Sequence, residues 1–216
     1  MLTISLAGEP LTLLPEKAAY LSERHTLLIA DAHLGKALSF RRLGVPVPQG
    51  STADNLATLS ALVVRLGARR IVFLGDLLHS AHAQSAATQA ELAHWRQAHL
   101  DLELTLVRGN HDAHAGDPPA ALGIDVVDEP LRLAPWALCH HPQARSDGYV
   151  LAGHLHPCVT VHGRARERLR LPCFWFGDRV GVLPAFGAFT GMHPIDAQPN
   201  DRVYALTHDA VVELPR

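Results

Sequence analysis

Five short groups of polar residues carry the side chains in this sequence that are best suited to chemistry. In chain order they are Asp31-Ala-His33, Gly75-Asp-Leu-Leu-His79, Gly109-Asn-His-Asp112, His140-His141 and Gly153-His-Leu-His156. They offer carboxylate, carboxamide and imidazole groups. Such oxygen and nitrogen donors suit Mn²⁺, Fe or Zn²⁺, whereas a structural zinc site would use thiolates. The residue types therefore predict a site for divalent metal ions.

The first three groups each follow a predicted β-strand. These strands are the apolar runs at residues 25–30, 70–74 and 102–107. Helices are predicted between them, from Ser51 to Gly67 by apolar residues at helical spacing and from about Ser85 to His99 by residues with good helix propensity. Alternating strands and helices are typical of parallel βαβ units. Because sites in such sheets form at the carboxyl ends of the strands, we expect the three groups to meet there.

The second half of the chain is predicted to contain more strand than helix. The last two groups follow short strand candidates at 136–139 and 149–152, and further candidates lie at 126–127 and 131–133. Hairpins are predicted near both ends of the chain, pairing 2–6 with 11–14 and 203–206 with 211–214. An alternating segment covers 166–175. These patterns predict one α/β domain, residues 1–216, with mixed sheets.

Length and composition narrow the class of protein. The 216 residues include 48% hydrophobic and 19% charged residues, which is ordinary for a globular protein. No apolar run approaches the ~20 residues of a membrane span, and no basic segment precedes the first apolar residues. Three cysteines without Cys-x-x-Cys spacing predict neither disulfides nor a thiolate site, so we expect a cytoplasmic protein. A net charge of −2 gives no support for nucleic-acid binding.

The five groups, in their order, resemble the motifs of the calcineurin-like metallophosphoesterases. This resemblance implies a four-layer-type fold with mixed β-sheets sandwiched by helices. Three further segments resemble the bacterial ligase-associated DNA-damage-response phosphodiesterase/endonuclease subfamily. They are Ala30–Lys36, Phe40 with Gly44-Val-Pro46, and Leu183–Gly191. The subfamily resemblance implies DNA as substrate, a role in repair, and functional association with a DNA ligase and a helicase.

The resemblance also implies a role for each polar residue. Asp31, His33 and His156 would hold one divalent ion. Asn110, His140 and His154 would hold a second, and Asp76 would bridge the two. The ions are expected to be Mn²⁺, with Fe or Zn²⁺ as alternatives, and to share a hydroxide that attacks phosphorus. His111 would protonate the leaving oxygen, while Asp112 would orient and charge His111.

Several assignments stay open at this point. The family's fourth motif contains His-Gly-His or His-Gly-Asp, whereas this chain has His140-His141-Pro142, so His141 competes with His140 as a ligand. His79 could support a ligand or simply end a turn. Lys36 and Arg108 are candidates for binding the substrate phosphate, although a lysine after a glycine is as often solvated.

The motifs leave three functions to separate. The first is a phosphodiesterase or endonuclease acting on DNA. The second is a phosphomonoesterase, or a hydrolase of nucleotides or other small phosphate esters, with the same site. The third is a metal-binding interaction scaffold, which would have no need of His111. Arg166, Arg168 and Arg170 could contact a phosphate backbone, although a solvated strand edge is slightly favoured. Phe174, Trp175 and Phe176 are expected in the core.

Overall fold

The computed structural model describes residues 1–37, 40, 51–79, 85–163 and 167–215. Within these ranges the chain forms two mixed β-sheets and a few helices. Gly44–Pro46, His82, Arg164 and Arg166 lie outside the described residues. None of the described helices is long and apolar enough to cross a membrane.

The first sheet has seven strands in the order β1 to β7. The strands are β1 Leu2–Leu6, β2 Glu9–Leu14, β3 Ala18–Leu21, β4 Thr26–Ile29, β5 Arg70–Leu74, β6 Glu103–Val107 and β7 Ile124–Val127. Strands β1 to β4 pair antiparallel, whereas β4 to β7 pair parallel, with Leu28 opposite Val72 and Val72 opposite Thr105. The parallel part contains the three predicted βαβ strands, so their carboxyl ends share one edge.

The second sheet has nine strands. They are β8 Leu131–Leu133, β9 Trp136–Leu138, β10 Tyr149–Ala152, β11 Pro157–His162, β12 Arg168–Phe176, β13 Val180–Val182, β14 His193–Pro194, β15 Arg202–Leu206 and β16 Val211–Glu213. Strands β9, β10 and β13 run parallel, as do β11 and β14, and the other pairs are antiparallel. The carboxyl ends of β9 and β10 therefore also lie at one edge.

The helices pack on one face of the first sheet. They are α1 Ser51–Leu66, α2 Ala86–Gln97 and α3 Asn110–Ala115, with 3₁₀ turns at Ser22–Arg24 and Ala120–Leu122. The buried leucines of α1 recur at helical spacing and join Trp95 of α2 in a core with Ile29, Ile71 and Phe73. The hydroxyl of Ser85 accepts from the Thr88 N–H and so caps α2.

A second core fills the space between the two sheets. Val72 and Leu74 of the first sheet pack there with Trp136, Leu151 and Phe174 of the second. These side chains are buried because alternate residues of each strand point to the same face. The inter-sheet core fixes the carboxyl ends of β4 to β6 relative to those of β9 and β10. This packing brings the five polar groups within reach of one another.

Most predicted elements are present, and the predicted α/β class with mixed sheets is confirmed. Strands β3, β11, β13 and β14 and helix α3 were not predicted. Phe174 and Phe176 lie in the core as expected. The expectation was wrong for Trp175, which is half-buried and donates its indole N–H to the Asp201 carboxylate at 2.7 Å.

Candidate metal centre

Both sheets contribute loops to one cluster of polar side chains. Asp31 follows β4, Asp76 follows β5, and Asn110 begins α3 after β6. The loops after β4 and β5 are joined by backbone hydrogen bonds, from His33 N–H to the Asp76 carbonyl and from Leu34 N–H to the Leu77 carbonyl. The second sheet adds its histidines from the loops after β9 and β10. The predicted convergence of five strand ends is therefore present.

Asp31, His33 and His156 form the first group of candidate ligands. Their ligand atoms lie within 4.8 Å of one another, and Nε2 of His156 is 3.6 Å from Oδ1 of Asp31. His156 donates its Nδ1–H to the Gly191 carbonyl at 3.1 Å, which leaves Nε2 with a free lone pair. Oδ1 of Asp31 and Nε2 of His33 are buried without a hydrogen-bond partner. Both atoms are thus available to a cation.

Asn110, His140 and His154 form the second group. His140 is fully buried and donates its Nδ1–H to the Leu74 carbonyl at 3.1 Å, so its Nε2 also carries a lone pair. This Nε2 lies 2.8 Å from Oδ1 of Asn110 and 3.0 Å from Nδ1 of His154. When Nε2 carries no proton, its lone pair and that of Oδ1 repel each other at this distance, and a cation bound to both atoms would remove the repulsion. The arrangement therefore fits a metal ion.

Asp76 lies between the two groups. Its Oδ1 is 3.6 Å from Nε2 of His140, and its Oδ2 is 3.8 Å from Nε2 of His33. The same Oδ1 accepts the His111 backbone N–H at 2.9 Å. Oδ1 of Asp31 also lies 3.8 Å from His140, but from Nδ1, which donates to the Leu74 carbonyl. Asp76 instead lies near the Nε2 atoms of both His33 and His140, which is the position a bridging ligand would need.

Two buried carboxylates side by side would be costly without compensating positive charge. Asp31 and Asp76 are 0% and 2% exposed, and their oxygens lie within 4.8 Å of each other and of a His140 nitrogen. Burial lowers the pKa of His33 to about 2, with further contributions from Lys36 and neighbouring histidines, so His33 stays neutral and supplies no charge. Divalent ions would balance the carboxylates, so the residues present fit such ions.

His140 and His141 differ in what they can offer. Nδ1 of His141 is 2.9 Å from Oε1 of Glu129, and its side chain is 38% exposed. His141 does lie with His140 and His154 in a group that could hold an ion. However, the buried His140 is the one that contacts Asn110, so the geometry favours His140.

Three glycines in the polar groups are explained by close packing. A Cβ on Gly75 would overlap the His140 imidazole, one on Gly109 would overlap Asp76, and one on Gly153 would overlap Asp31. Each glycine therefore makes room for a candidate ligand from a different loop. The sequence showed these glycines, but their packing partners only become visible once the loops converge.

Five candidate ligands have left-handed backbone conformations. Their φ angles are 50° for Asp31, 44° for His33, 51° for Asp76, 71° for His154 and 51° for His156. Residues other than glycine rarely adopt such angles, and they persist only where the surrounding structure holds them. Strained backbone conformations at successive strand ends are typical of functional sites. They indicate that the loops are held in this shape because it positions the candidate ligand side chains.

Asp112 does not contact the His111 imidazole, so the expectation that it orients and charges His111 was wrong. Its carboxylate is 1% exposed and accepts backbone N–H groups from Asp76, Leu77, Leu78 and Gly109 at 2.7–3.3 Å. Burial raises the pKa of Asp112, although the backbone bonds oppose this shift. Asp112 thus ties the loop after β5 to the start of α3.

The backbone, not Asp112, orients His111. Its Nδ1–H donates to the His79 carbonyl at 3.0 Å, and the two imidazole rings stack with centroids 5.3 Å apart. Nδ1 of His79 is also 3.4 Å from Nδ1 of His33. His79 therefore supports two residues of the site, and burial lowers its pKa to about 4.

The side chains of Lys36 and Arg108 differ in how available they are to a substrate phosphate. Burial lowers the pKa of Lys36, while Asp76 and Asp31 act to raise it, and its Nζ lies 5.7 Å from the Phe40 ring centroid. Arg108 is engaged by Asp117 at 3.2 Å and by Asp128 at 3.9 Å. Lys36 therefore has its charge close to the site, whereas the charge of Arg108 is partly balanced.

The sequence analysis missed Glu129. Its carboxylate accepts the backbone N–H groups of His140 and His141 at 2.8 and 3.0 Å, as well as the His141 side chain. Burial acts to raise the pKa of Glu129, but these hydrogen bonds lower it overall. No spacing pattern links position 129 to the site, so only the folded loop reveals this support.

A search of solved structures finds close similarity to the crystal structure of Pseudomonas putida nuclease MPE. The identity is 43%, the TM-score is 0.88, and the match covers 99% of each chain. The chain belongs to the metallophosphoesterase superfamily. It is accordingly a phosphoesterase whose histidine and aspartate cluster could hold metal ions.

Other comparisons add little. The Escherichia coli phosphoesterase YfcE matches with 15% identity and a TM-score of 0.41 over 86% of this chain and 90% of that chain, a likeness too weak to carry an argument. No protein-family model matches the chain, and no curated protein does.

Proposed function

We propose that this metallophosphoesterase is a dinuclear-metal phosphodiesterase that cleaves DNA strands. The observation that carries the proposal is the buried cluster of possible ligand atoms on Asp31, Asp76 and His140, to which both sheets contribute. The resemblance of the motifs and the 43% identity to a nuclease favour a nucleic-acid diester over a small phosphate ester.

The proposed ligands are the seven residues predicted from the motifs. Asp31, His33 and His156 would hold one ion, Asn110, His140 and His154 the other, and Asp76 both. Two divalent ions, proposed to be Mn²⁺, would polarise the phosphate and lower the pKa of bound water. Leu74 and Gly191 fix the tautomers of His140 and His156 through their carbonyls, so these Nε2 atoms face the site as lone pairs.

His111 is proposed as the group that protonates the leaving oxygen. Because its Nδ1–H is already donated to the His79 carbonyl, the proton for the leaving group must come from Nε2. Only the imidazolium form has protons on both nitrogens, so His111 must be charged before the bond to phosphorus breaks.

Lys36 is proposed to bind a phosphate oxygen as a point charge beside Asp31 and Asp76. Arg108 is kept as a second candidate, since its guanidinium could exchange its exposed partner Asp128 for a phosphate. A role in DNA repair, in company with a ligase and a helicase, follows from the subfamily resemblance. The three cysteines are buried and free, so a reducing cytoplasm is the proposed location.

The test is a Mn²⁺-supplemented assay on three substrates: a 4-nitrophenyl phosphomonoester, a small phosphodiester and single-stranded DNA. We expect hydrolysis of both diesters and little of the monoester. Preference for the monoester would replace this proposal by a phosphomonoesterase. Metal binding without turnover of any of the three would favour a scaffold.

His111→Gln distinguishes a proton donor from a ligand. Loss of a proton donor typically lowers turnover about 10²–10⁴-fold. We expect such a loss on DNA, whose leaving group is a poor one, and a smaller loss on a nitrophenyl diester. Metal content, measured by elemental analysis, should be unchanged. His114→Gln on the same helix is the matched control, because His114 is exposed. Equal losses on both substrates would contradict the proton-donor role.

A further inference from the structure

A cleft of about 300 Å³ opens beside the proposed metal centre. Its lining includes the ligand His156 together with Lys17, Pro172, Phe189, Thr190 and Met192. This volume is at the lower end of the range for small-molecule sites, about 300–1,000 Å³. The cleft therefore has room for one nucleotide-sized group next to the reacting phosphate.

Phe189 is held in this cleft at the cost of strain and exposure. Its φ is 58°, which is a rare conformation for a bulky residue, and its surface is 43% exposed. Met192 on the same cleft is 41% exposed. An aromatic ring that is strained and faces solvent does little to stabilise a hydrophobic core. Such an outlier in a binding region indicates that the ring is presented to a ligand.

Lys17 supplies positive charge to the same cleft. It lies in the turn between β2 and β3, with a left-handed φ of 62°. Among the described residues it forms no ion pair, although it is half-buried. Burial lowers the pKa of its ammonium group, and no neighbouring carboxylate opposes the shift. A partly buried lysine without a counter-charge fits an anionic ligand.

The segment that carries Phe189 is attached directly to the metal centre. Phe186 N–H donates to the Ala30 carbonyl at 2.8 Å, and Gly187 N–H donates to the Asp31 carbonyl at 3.1 Å. At its other end, the Gly191 carbonyl accepts Nδ1–H of His156. The aromatic ring is therefore positioned by the same backbone that positions two candidate ligands.

We propose that this cleft is a subsite for the nucleotide next to the cleaved phosphate, with its base on Phe189 and Met192 and its phosphate on Lys17. The proposal rests on the proposed DNA-cleaving function. Bases of any sequence stack on an aromatic face, so the subsite would favour single strands with unpaired bases and would tolerate any sequence.

A larger cleft of about 500 Å³ does not carry the same inference. It is lined by Val159, Gln198, Asp201 and Leu214 and contains none of the candidate ligands. Both described contacts of the Asp201 carboxylate, from Trp175 and from the Gln198 backbone, are internal.

The test compares Phe189→Ala and Lys17→Met with wild type on two substrates. Base stacking on an aromatic side chain corresponds to about 5- to 150-fold in affinity. We expect KM for a single-stranded oligonucleotide to rise by such a factor in Phe189→Ala. It should also rise in Lys17→Met, because that variant loses the positive charge proposed to bind the phosphate. Hydrolysis of methyl 4-nitrophenyl phosphate, which has no flanking nucleotide, should be unchanged. Phe189→Tyr should restore wild-type KM, and Val64→Ala, an exposed apolar residue on α1, is the matched control.

Binding provides a second readout that needs no turnover. Anisotropy of a labelled oligonucleotide in EDTA should show weaker binding to Phe189→Ala. An oligonucleotide in which every nucleotide is abasic should bind wild type as weakly as the normal oligonucleotide binds Phe189→Ala, and should bind the variant no more weakly than it binds wild type. Equal effects of Phe189→Ala on both substrates would overturn the subsite, because the ring would then only support His156. Normal cleavage of DNA by the variants would overturn the subsite alone, whereas a wild type that neither binds nor cleaves DNA would overturn the proposed function as well.

Discussion

The metal centre has a buried floor and a more exposed rim, and the two are built differently. The floor consists of Asp31, His33, Asp76 and His140, which are all 3% exposed or less. The rim consists of Asn110, His111, His154 and His156, which are half-buried or exposed. Floor residues are fixed by contacts with other loops and by the glycines that pack against them. Rim residues are accessible to a substrate. The floor should therefore decide metal binding, and the rim should decide turnover and substrate choice.

The largest expected effect is at the floor, in Asp76→Asn. The substitution keeps the oxygen that accepts the His111 N–H but removes the charge expected to serve both ions. Since loss of residues that merely support ligands typically costs about 10–100-fold, we expect activity to fall by more than about 100-fold. Elemental analysis should show fewer than two divalent ions per chain.

In the absence of metal, the same variant should be at least as stable as wild type. Removing a buried charge relieves desolvation, so in EDTA the Tm of Asp76→Asn should equal or exceed that of wild type. His154→Gln on the rim is the comparison, and its loss of activity should be smaller. If Asp76→Asn kept full metal content and turnover, the floor would not have the role assigned to it.

A smaller effect is expected from Gly75→Ala. Its new methyl group would overlap the His140 imidazole, so His140 must move and metal affinity should fall. Gly67→Ala is the matched control, since its φ of 62° is close to the 77° of Gly75 but nothing lies near its Cβ. Both variants should lose some stability from strain. Only Gly75→Ala should need more Mn²⁺ for half-maximal activity, and equal Mn²⁺ requirements would show that backbone strain alone matters.

The part of this architecture that the sequence predicted is the local part. Apolar runs predicted β4, β5 and β6, helical spacing predicted α1, and helix propensity predicted α2, because each of these signals is complete within a short segment. The polar groups at the ends of these strands then indicated the metal site. Strand β3, by contrast, is a short apolar segment whose pairing with β2 and β4 is decided by the fold.

The sequence could not predict which groups would support one another. Asp112 is adjacent to His111 in the chain, yet its carboxylate turns to the backbone of the neighbouring loop. Glu129 supports His140 from eleven positions away. The cleft lined by Lys17 and Phe189 joins residues far apart in the chain. Contacts of this kind depend on how the two sheets pack, which no local pattern contains.

The smallest expected effect concerns pH and again separates floor from rim. Burial lowers the pKa of His33 to about 2 and also lowers that of His154. Above pH ~6.5 both histidines are neutral in the folded and in the unfolded chain. Neither of them then lowers the free energy of unfolding. As pH falls below ~6.5, the unfolded chain takes up protons that the folded chain does not. The free energy of unfolding then falls, by up to about 1.4 kcal/mol per pH unit for a fully buried histidine.

Denaturant unfolding in EDTA between pH 7 and 5 measures this slope. His33→Gln should flatten it, because the variant has no imidazole to protonate in the unfolded chain. His154→Gln should flatten it less, since exposure on the rim leaves a smaller difference in pKa between folded and unfolded states. Metal must be removed for this comparison, because a bound ion would add its own pH dependence through the ligands. If the free energy of unfolding depended on pH equally in His33→Gln and wild type, His33 would be hydrated in the metal-free protein. Water would then reach the floor of the site.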